Sequence, residues 1–119
     1  MTNYFPFEVR FINGALYGSP EQMYQIVVNF QSSEFTGYEA LFNKYGLQEG
    51  ALSLVDLTAL IIESTSPDLL DNMDFDEEGY QLDMHIDSEV NLQQLLSVIC
   101  PVYRDLAELE RYIRRVTSR

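Results

Sequence analysis

The sequence predicts an α+β fold: a small antiparallel sheet packed by helices, with a long C-terminal helical segment that Pro101 interrupts. Three observations carry this reading. Apolar and polar residues alternate at residues 5–11 and again at 73–86, the period of a half-buried strand. Between these stretches lie helix-start signals followed by apolar residues spaced three and four apart. From about Ser88 onward the apolar spacing stays helical to near the end of the chain. With 119 residues and no internal repeat, low-complexity tract or linker, residues 1–119 read as a single acidic globular domain with one core.

Taken in order, "YFPFEVRFI" sets Phe5, Phe7, Val9 and Phe11 at alternate positions of a first strand, with Glu8 and Arg10 between them. Asn13-Gly14 reads as a tight turn and "ALYG" as a short return strand. Ser19-Pro20-Glu21-Gln22 has the form of a helix start, which predicts a helix with Met23, Ile26, Val27 and Phe30 on one face. "TGYEALFNKYG" predicts a two-turn helix: Thr36 as N-cap, Glu39 completing the capping box, and Tyr38, Leu41, Phe42 and Tyr45 as the stripe. Gly46 is its stop. Ser53 and Asp56 repeat the capping relation before "LVDLTALIIES", and Pro67 closes that element by restricting Ser66. "NMDF" and "YQLDMHI" read as a strand pair.

Hydrophobic residues make up 46% of the chain and aromatics 13%, too much for a disordered acidic tail, so the chain should fold. Formal net charge is −12. Arg104, Arg111, Arg114, Arg115 and Arg119 lie in the last sixteen residues, so residues 1–103 hold sixteen acids against only Arg10 and Lys44, a balance of −14. Such a field repels nucleic acid and anionic lipid and speeds association with a basic protein. Direct nucleic-acid binding and a membrane role are therefore not expected. No signal-peptide pattern is read and no apolar run approaches about twenty residues, which predicts a soluble, cytoplasmic protein. Cys100 is the single cysteine, and its neighbours Val98, Ile99 and Val102 predict a buried thiol.

Leu92, Leu95, Ile99, Val102, Leu106, Leu109, Ile113 and Val116 alternate steps of three and four, the spacing of a coiled-coil seam. Leu96, Val98, Tyr103 and Tyr112 widen the stripe, which favours a core helix over a homo-oligomeric coiled coil. Pro101 predicts a kink or two successive helices. Glu110 and Arg114 are placed for an i,i+4 pair, and the terminal arginines suit the negative end of a helix.

The stretch from Asp68 to Glu89 carries nine acids and no Lys or Arg. Asp74-x-Asp76-x-Glu78-Gly79 copies the opening of an EF-hand loop, but the twelfth position is His85 and the flanking residues alternate instead of running as helices. A hairpin turning at Glu78-Gly79 sets Phe75 opposite Leu82, Met73 opposite Met84 and Asp74 opposite Asp83, with Asp76, His85 and Asp87 on the same outer face. Opposed like charges cost a few tenths to about 1 kcal/mol. A solvated sheet face tolerates this, and a cationic partner would relieve it: Lys or Arg of another protein, or more weakly a divalent ion. For catalysis the chain offers one histidine, no phosphate-binding loop and no nucleophile elbow, so no catalytic residue, cofactor or metal ligand set is assigned.

"FDEEGY" at Phe75–Tyr80, the strand and "DS" turn after it, and the leucine-rich end together resemble the C-terminal half of the immunity protein 51 family of bacterial polymorphic toxin systems. Gly37-Tyr38, read as following a helix, is similar to that family's Gly-Tyr element. The resemblance covers about residues 68–117 and the short piece near 37. It implies a cytosolic protein without chemistry of its own that binds and blocks a cognate toxin domain, whose basic character an acidic inhibitor would complement. On this reading the candidate contacts are Asp68, Asp71, Asp74, Asp76, Glu77 and Glu78 before the turn and Asp83 and Asp87 after it. Tyr38 and Tyr80 are candidate aromatic anchors. Two alternatives remain open: a phage-type inhibitor that mimics nucleic acid to block a defence enzyme, and a homo-oligomeric adaptor using the C-terminal stripe.

Overall fold

In the computed structural model, which describes residues 4–12 and 24–118, a four-stranded antiparallel sheet lies against a layer of helices. The strands are β1 (Glu8–Phe11), β2 (Tyr24–Asn29), β3 (Met73–Glu78) and β4 (Gln81–Ile86), in the order β1-β2-β4-β3. The helices are α1 (Thr36–Lys44), α2 (Leu54–Thr65), α3 (Glu89–Arg104) and α4 (Leu106–Thr117), with short 3₁₀ turns at Ser33–Phe35 and Pro67–Asn72. The α+β prediction holds.

One element is corrected. The helix expected over Met23–Phe30 is the central strand β2, while its predicted cap at Ser19–Gln22, the Asn13-Gly14 turn and the "ALYG" strand lie outside the described residues. Ile26, Val28 and Phe30 are 0%, 4% and 0% exposed, a period of two. The β-branched run Ile26-Val27-Val28 suits a strand, and pairing on both sides, Ile26 with Val9 and with Met84, satisfies the backbone better than a local helix could. β1 is also shorter than the aromatic alternation suggests. Phe5 and Pro6 form a turn with a cis peptide bond, in which Phe7 N–H donates to Tyr4 O at 2.8 Å, and Phe11 is 62% exposed.

The hairpin forms with a register two residues from the expected one: Phe75 faces Met84, Met73 faces Ile86, Asp76 faces Asp83 and Asp74 faces His85. An even shift keeps Met73, Phe75, Leu82 and Met84 on the inner face and Asp74, Asp76, Asp83 and His85 on the outer one. The loop is Gly79-Tyr80, and Gly79 takes φ 59° while Tyr80, like every non-glycine among the described residues, has no positive φ, the sign pattern of a type II′ turn. Tyr80 accepts the second loop position because its ring turns inward, 5% exposed, and its hydroxyl donates to Asn43 Oδ1 on α1.

Helix ends follow local signals more closely. Ser53 caps α2 by accepting from Asp56 N–H at 3.1 Å. Gly46, at φ 86°, stops α1: its N–H donates to Asn43 O and that of Leu47 to Phe42 O, at 3.2 and 3.1 Å. Thr36 is not the N-cap of α1, because the 3₁₀ turn runs into the helix and leaves Thr36 already helical, with Phe35 at the boundary. The C-terminal segment comes as two successive helices. Pro101 sits inside the last turn of α3, and the break falls at Asp105, whose carboxylate accepts from Ala107 and Glu108 N–H at 3.1 and 3.3 Å. The apolar stripe crosses that break and points into the core through Leu92, Leu95, Ile99, Leu109 and Ile113, all buried.

Tyr103 stands at the centre of the core, fully buried, with its ring edge-on to Phe7 at 5.0 Å and stacked with Phe30 at 6.0 Å. Its hydroxyl meets Thr58 Oγ1 at 2.6 Å, and Thr58 Oγ1 donates to Leu54 O at 2.9 Å. Thr58 has one hydrogen and spends it on Leu54, so Tyr103 is the donor to Thr58. Tyr38, also buried, donates to Tyr103 O at 2.6 Å. This chain predicts an asymmetry. Thr58→Val leaves the Tyr103 hydroxyl buried without an acceptor and should cost about 1–3 kcal/mol, whereas Tyr103→Phe leaves Thr58 satisfied and should cost about 1 kcal/mol. Urea unfolding of the two variants checks the order, and equal losses would contradict the donor assignment.

Candidate functional site

The sheet has two unlike faces. Val9, Ile26, Val28, Leu82, Met84 and Ile86 turn toward the helices. Directly opposed residues share a face in an antiparallel sheet, so the registers define the other face row by row. Glu8, Val27, Asp83 and Asp76 cross it in one row, and Arg10, Gln25, His85 and Asp74 in the next. Asn29, Gln81 and Glu78 form a third, shorter row. None of these side chains is buried, so the described residues leave this face open to solvent.

The strands thus bring Asp74, Asp76, Glu78 and Asp83 onto one surface. Asp76 lies directly across from Asp83, where opposed Cβ atoms sit about 5 Å apart. Asp83 accepts from Gln81 Nε2 at 3.0 Å and Gln25 Nε2 at 3.3 Å, which orients the carboxylate without neutralising it. Arg10 is the one Lys or Arg among the strand residues of this face, and it pairs with Glu8 at 3.0 Å. That pairing raises the guanidinium pKa, with a smaller pull from Asp83. Glu8, Arg10, Gln25 and Asn29 join the surface through strand order alone. Their polar positions were visible in the sequence, their proximity to Asp83 was not.

Other predicted residues lie elsewhere. Asp68 and Asp71 are exposed on the 3₁₀ turn before β3, and Asp87 follows β4, accepting from Asn91 Nδ2 at 2.8 Å at the start of α3. Tyr38 is 7% exposed, so like Tyr80 it presents no surface ring, and Gly37-Tyr38 follows a strand and a 3₁₀ turn, not an α-helix. A Cβ at Gly37 would stand 3.2 Å from Leu106 Cδ1 at the start of α4, so a larger residue there would need that leucine to shift by a few tenths of an ångström.

Glu77 points to the covered face. It follows Met73 and Phe75 in parity and reaches the N-terminus of α2, accepting from Leu54 N–H at 2.9 Å, Val55 N–H at 3.4 Å and the Ser53 hydroxyl. With Asp56 N–H on Ser53 Oγ, the first three free amides of α2 are all satisfied, two of them by a carboxylate at the positive end of the helix. An acid at an inward parity needs such a partner, and this was the signal the sequence contained.

The Asp74–Gly79 stretch is a strand and a turn, and no group of three or more His, Cys, Asp or Glu among the described residues is arranged to hold a metal ion. Cys100 is buried, with burial pushing its thiol pKa up and Sγ 3.6 Å from Tyr4 O. No helix of the described residues is long and apolar enough to cross a membrane. Arg104, at the end of α3, donates to Phe5 O at 3.0 Å, and other basic residues serve the fold around α4. Glu110 takes Lys44 at 2.9 Å, Arg114 at 3.5 Å and the Tyr45 hydroxyl at 2.7 Å, tying α1 to α4. Arg111 pairs with Glu108, and Arg111 and Arg115 both lie over the Tyr112 ring.

Comparison with protein-family models, with curated proteins and with solved structures finds no match to this chain.

Two variants separate structural from surface carboxylates. Glu77→Gln weakens charge-assisted bonds to α2 and should cost about 2 kcal/mol in urea unfolding, whereas Glu78→Gln on the open face should stay within about 0.5 kcal/mol. Hydrogen bonds from Tyr45 and Lys44 hold the Glu110 carboxyl below its ordinary range. A depressed folded pKa stabilises above the unfolded value and is lost as pH falls through the folded one. Wild type should therefore lose stability relative to Glu110→Gln as pH drops through and below the ordinary carboxylate range, from about pH 5 to about 3, and parallel unfolding curves would remove this link.

Proposed function

We propose that this chain is a protein inhibitor of the bacterial immunity-protein kind, acting in the cytoplasm, which binds and neutralises a basic toxin domain through the open face of its sheet. The observation that carries the reading is the concentration of carboxylates on a face that no described residue covers, with Asp76 set directly against Asp83. A lysine or arginine brought between them relieves a repulsion of a few tenths to about 1 kcal/mol and adds attraction of its own. The acids are spread over three cross-strand rows instead of converging in one cleft, which suits docking to a protein surface better than holding a small substrate. Net charge of −12 directs a cationic domain toward it and accelerates encounter. The resemblance of Phe75–Tyr80 and the leucine-rich C-terminal segment to the immunity protein 51 family supports the same class, in which binding alone is the activity.

The test begins with affinity capture from the source cells at low salt, followed by kinetics on the captured protein. A basic partner recovered in stoichiometric amount, whose toxicity the wild-type chain suppresses, is the expected result. Reversing Asp74, Asp76 and Asp83 to Lys should slow its association by about tenfold or more and flatten its salt dependence while the fold survives. Unchanged association would remove the sheet face from the interface. Displacement of the partner by DNA or RNA would favour the nucleic-acid-mimicking inhibitor instead, and recovery of this chain alone would turn the reading toward self-association.

A further inference from the structure

A groove of about 590 Å³ opens beside the acidic face. It exists because β1 pairs with β2 only as far as Glu8 and Val27, after which the chain folds into the Tyr4–Phe7 turn and leaves Asn29 without a strand neighbour on that side. The walls are aromatic: Phe5 and Phe35 stand 5.7 Å apart, Phe35 buried and Phe5 44% exposed. The rim is acidic, from Glu8 and Glu34. Glu34 is exposed on the 3₁₀ turn and has no ion-pair partner among the described residues, whereas Glu8 already holds a guanidinium, that of Arg10. Glu8, Val27 and Asn29 line both this groove and a smaller depression of about 300 Å³ on the sheet face, so the two surfaces are continuous.

We infer that the groove anchors an arginine side chain of the basic partner, its aliphatic stem and guanidinium plane against Phe5 and its charge toward Glu34 and Glu8. The inference rests on the reading of the partner as basic and adds where its anchor sits. Charge alone attracts lysine equally. A planar, weakly hydrated guanidinium gains more than an ammonium from an aromatic wall beside carboxylates, so the groove discriminates where the depression on the acidic face, which no aromatic residue lines, does not. A central side chain seated in a pocket, with a polar surface around it, is the usual layout of an interface that depends on few residues.

The experiment is a ¹⁵N NMR titration of the full chain at low salt with acetyl-Gly-Arg-Gly-amide, and with the same peptide carrying lysine or the neutral isostere citrulline. Saturable shifts at the Asn29, Glu34 and Phe35 amides are expected for arginine, with affinity about fivefold weaker for lysine and no saturation for citrulline. Glu34→Gln should weaken arginine binding about fivefold with the spectrum otherwise intact. Phe5→Ala should abolish the preference for arginine over lysine. Asp76→Lys should leave the groove shifts in place. Equal affinity for arginine and lysine, or shifts confined to Asp76, Asp83 and His85, would overturn the inference while leaving the sheet-face reading standing. Groove binding that persists while reversal of the sheet carboxylates leaves the captured protein's association unchanged would overturn the sheet-face reading instead.

Discussion

The fold depends on a sheet that is covered on one side. Because every strand alternates its side chains, burying Ile26, Val28, Leu82, Met84 and Ile86 under the helices forces Gln25, Val27, Gln81, Asp83 and His85 to the other side. Burial of each large apolar side chain contributes about 1.5–3 kcal/mol before chain entropy is subtracted, so the inner face dictates the register and the outer face must accept it. The opposition of Asp76 and Asp83 is a consequence: a local repulsion too small to displace an apolar face shared by two strands.

The buried and half-buried polar groups behind the sheet are few, and those between the layers are tied. Glu77 satisfies the start of α2, Tyr103 and Thr58 satisfy each other and Leu54 O, and no buried side-chain nitrogen or oxygen of the described residues lacks a hydrogen-bond partner. These bonds connect layers, not neighbours in sequence. Glu77 joins the hairpin to α2, Tyr38 joins α1 to the end of α3, and Tyr80 joins the hairpin turn to α1. The hairpin whose two strands carry the acids is thus fastened from behind at Glu77 and at Tyr80.

Charge is sorted in space as well as in sequence. Arg111 and Arg114 pair with Glu108 and Glu110 on α4, Arg104 at the end of α3 donates to Phe5 O, and among the described strand residues only Arg10 reaches the open face. Acids on the edge strand β3 also discourage edge-to-edge pairing with other sheets, a hazard of any open antiparallel sheet. The same residues disfavour pairing along that edge and make the outer face acidic.

What the sequence determined by itself was local. The cap at Ser53, the stop at Gly46, the hairpin and the alternation of Met73–Asp76 and Leu82–His85 between its two faces all rest on contacts within a few positions, and they could be read directly. β2 could not, because Met23, Ile26, Val27 and Phe30 suit a helix while Ile26, Val28 and Phe30 suit a strand, and only pairing with Val9 and Met84 separates the two. The candidate site divides in the same way. The acidic outer parity of Asp74, Asp76 and Asp83 was legible, but the inward turn of Tyr38 and Tyr80, the capture of Glu77 by α2 and the arrival of Glu8 and Arg10 beside Asp83 were not. Those depend on strand order and on which helix end meets which side chain, and the free energy that settles them comes from burial and hydrogen bonds between residues tens of positions apart.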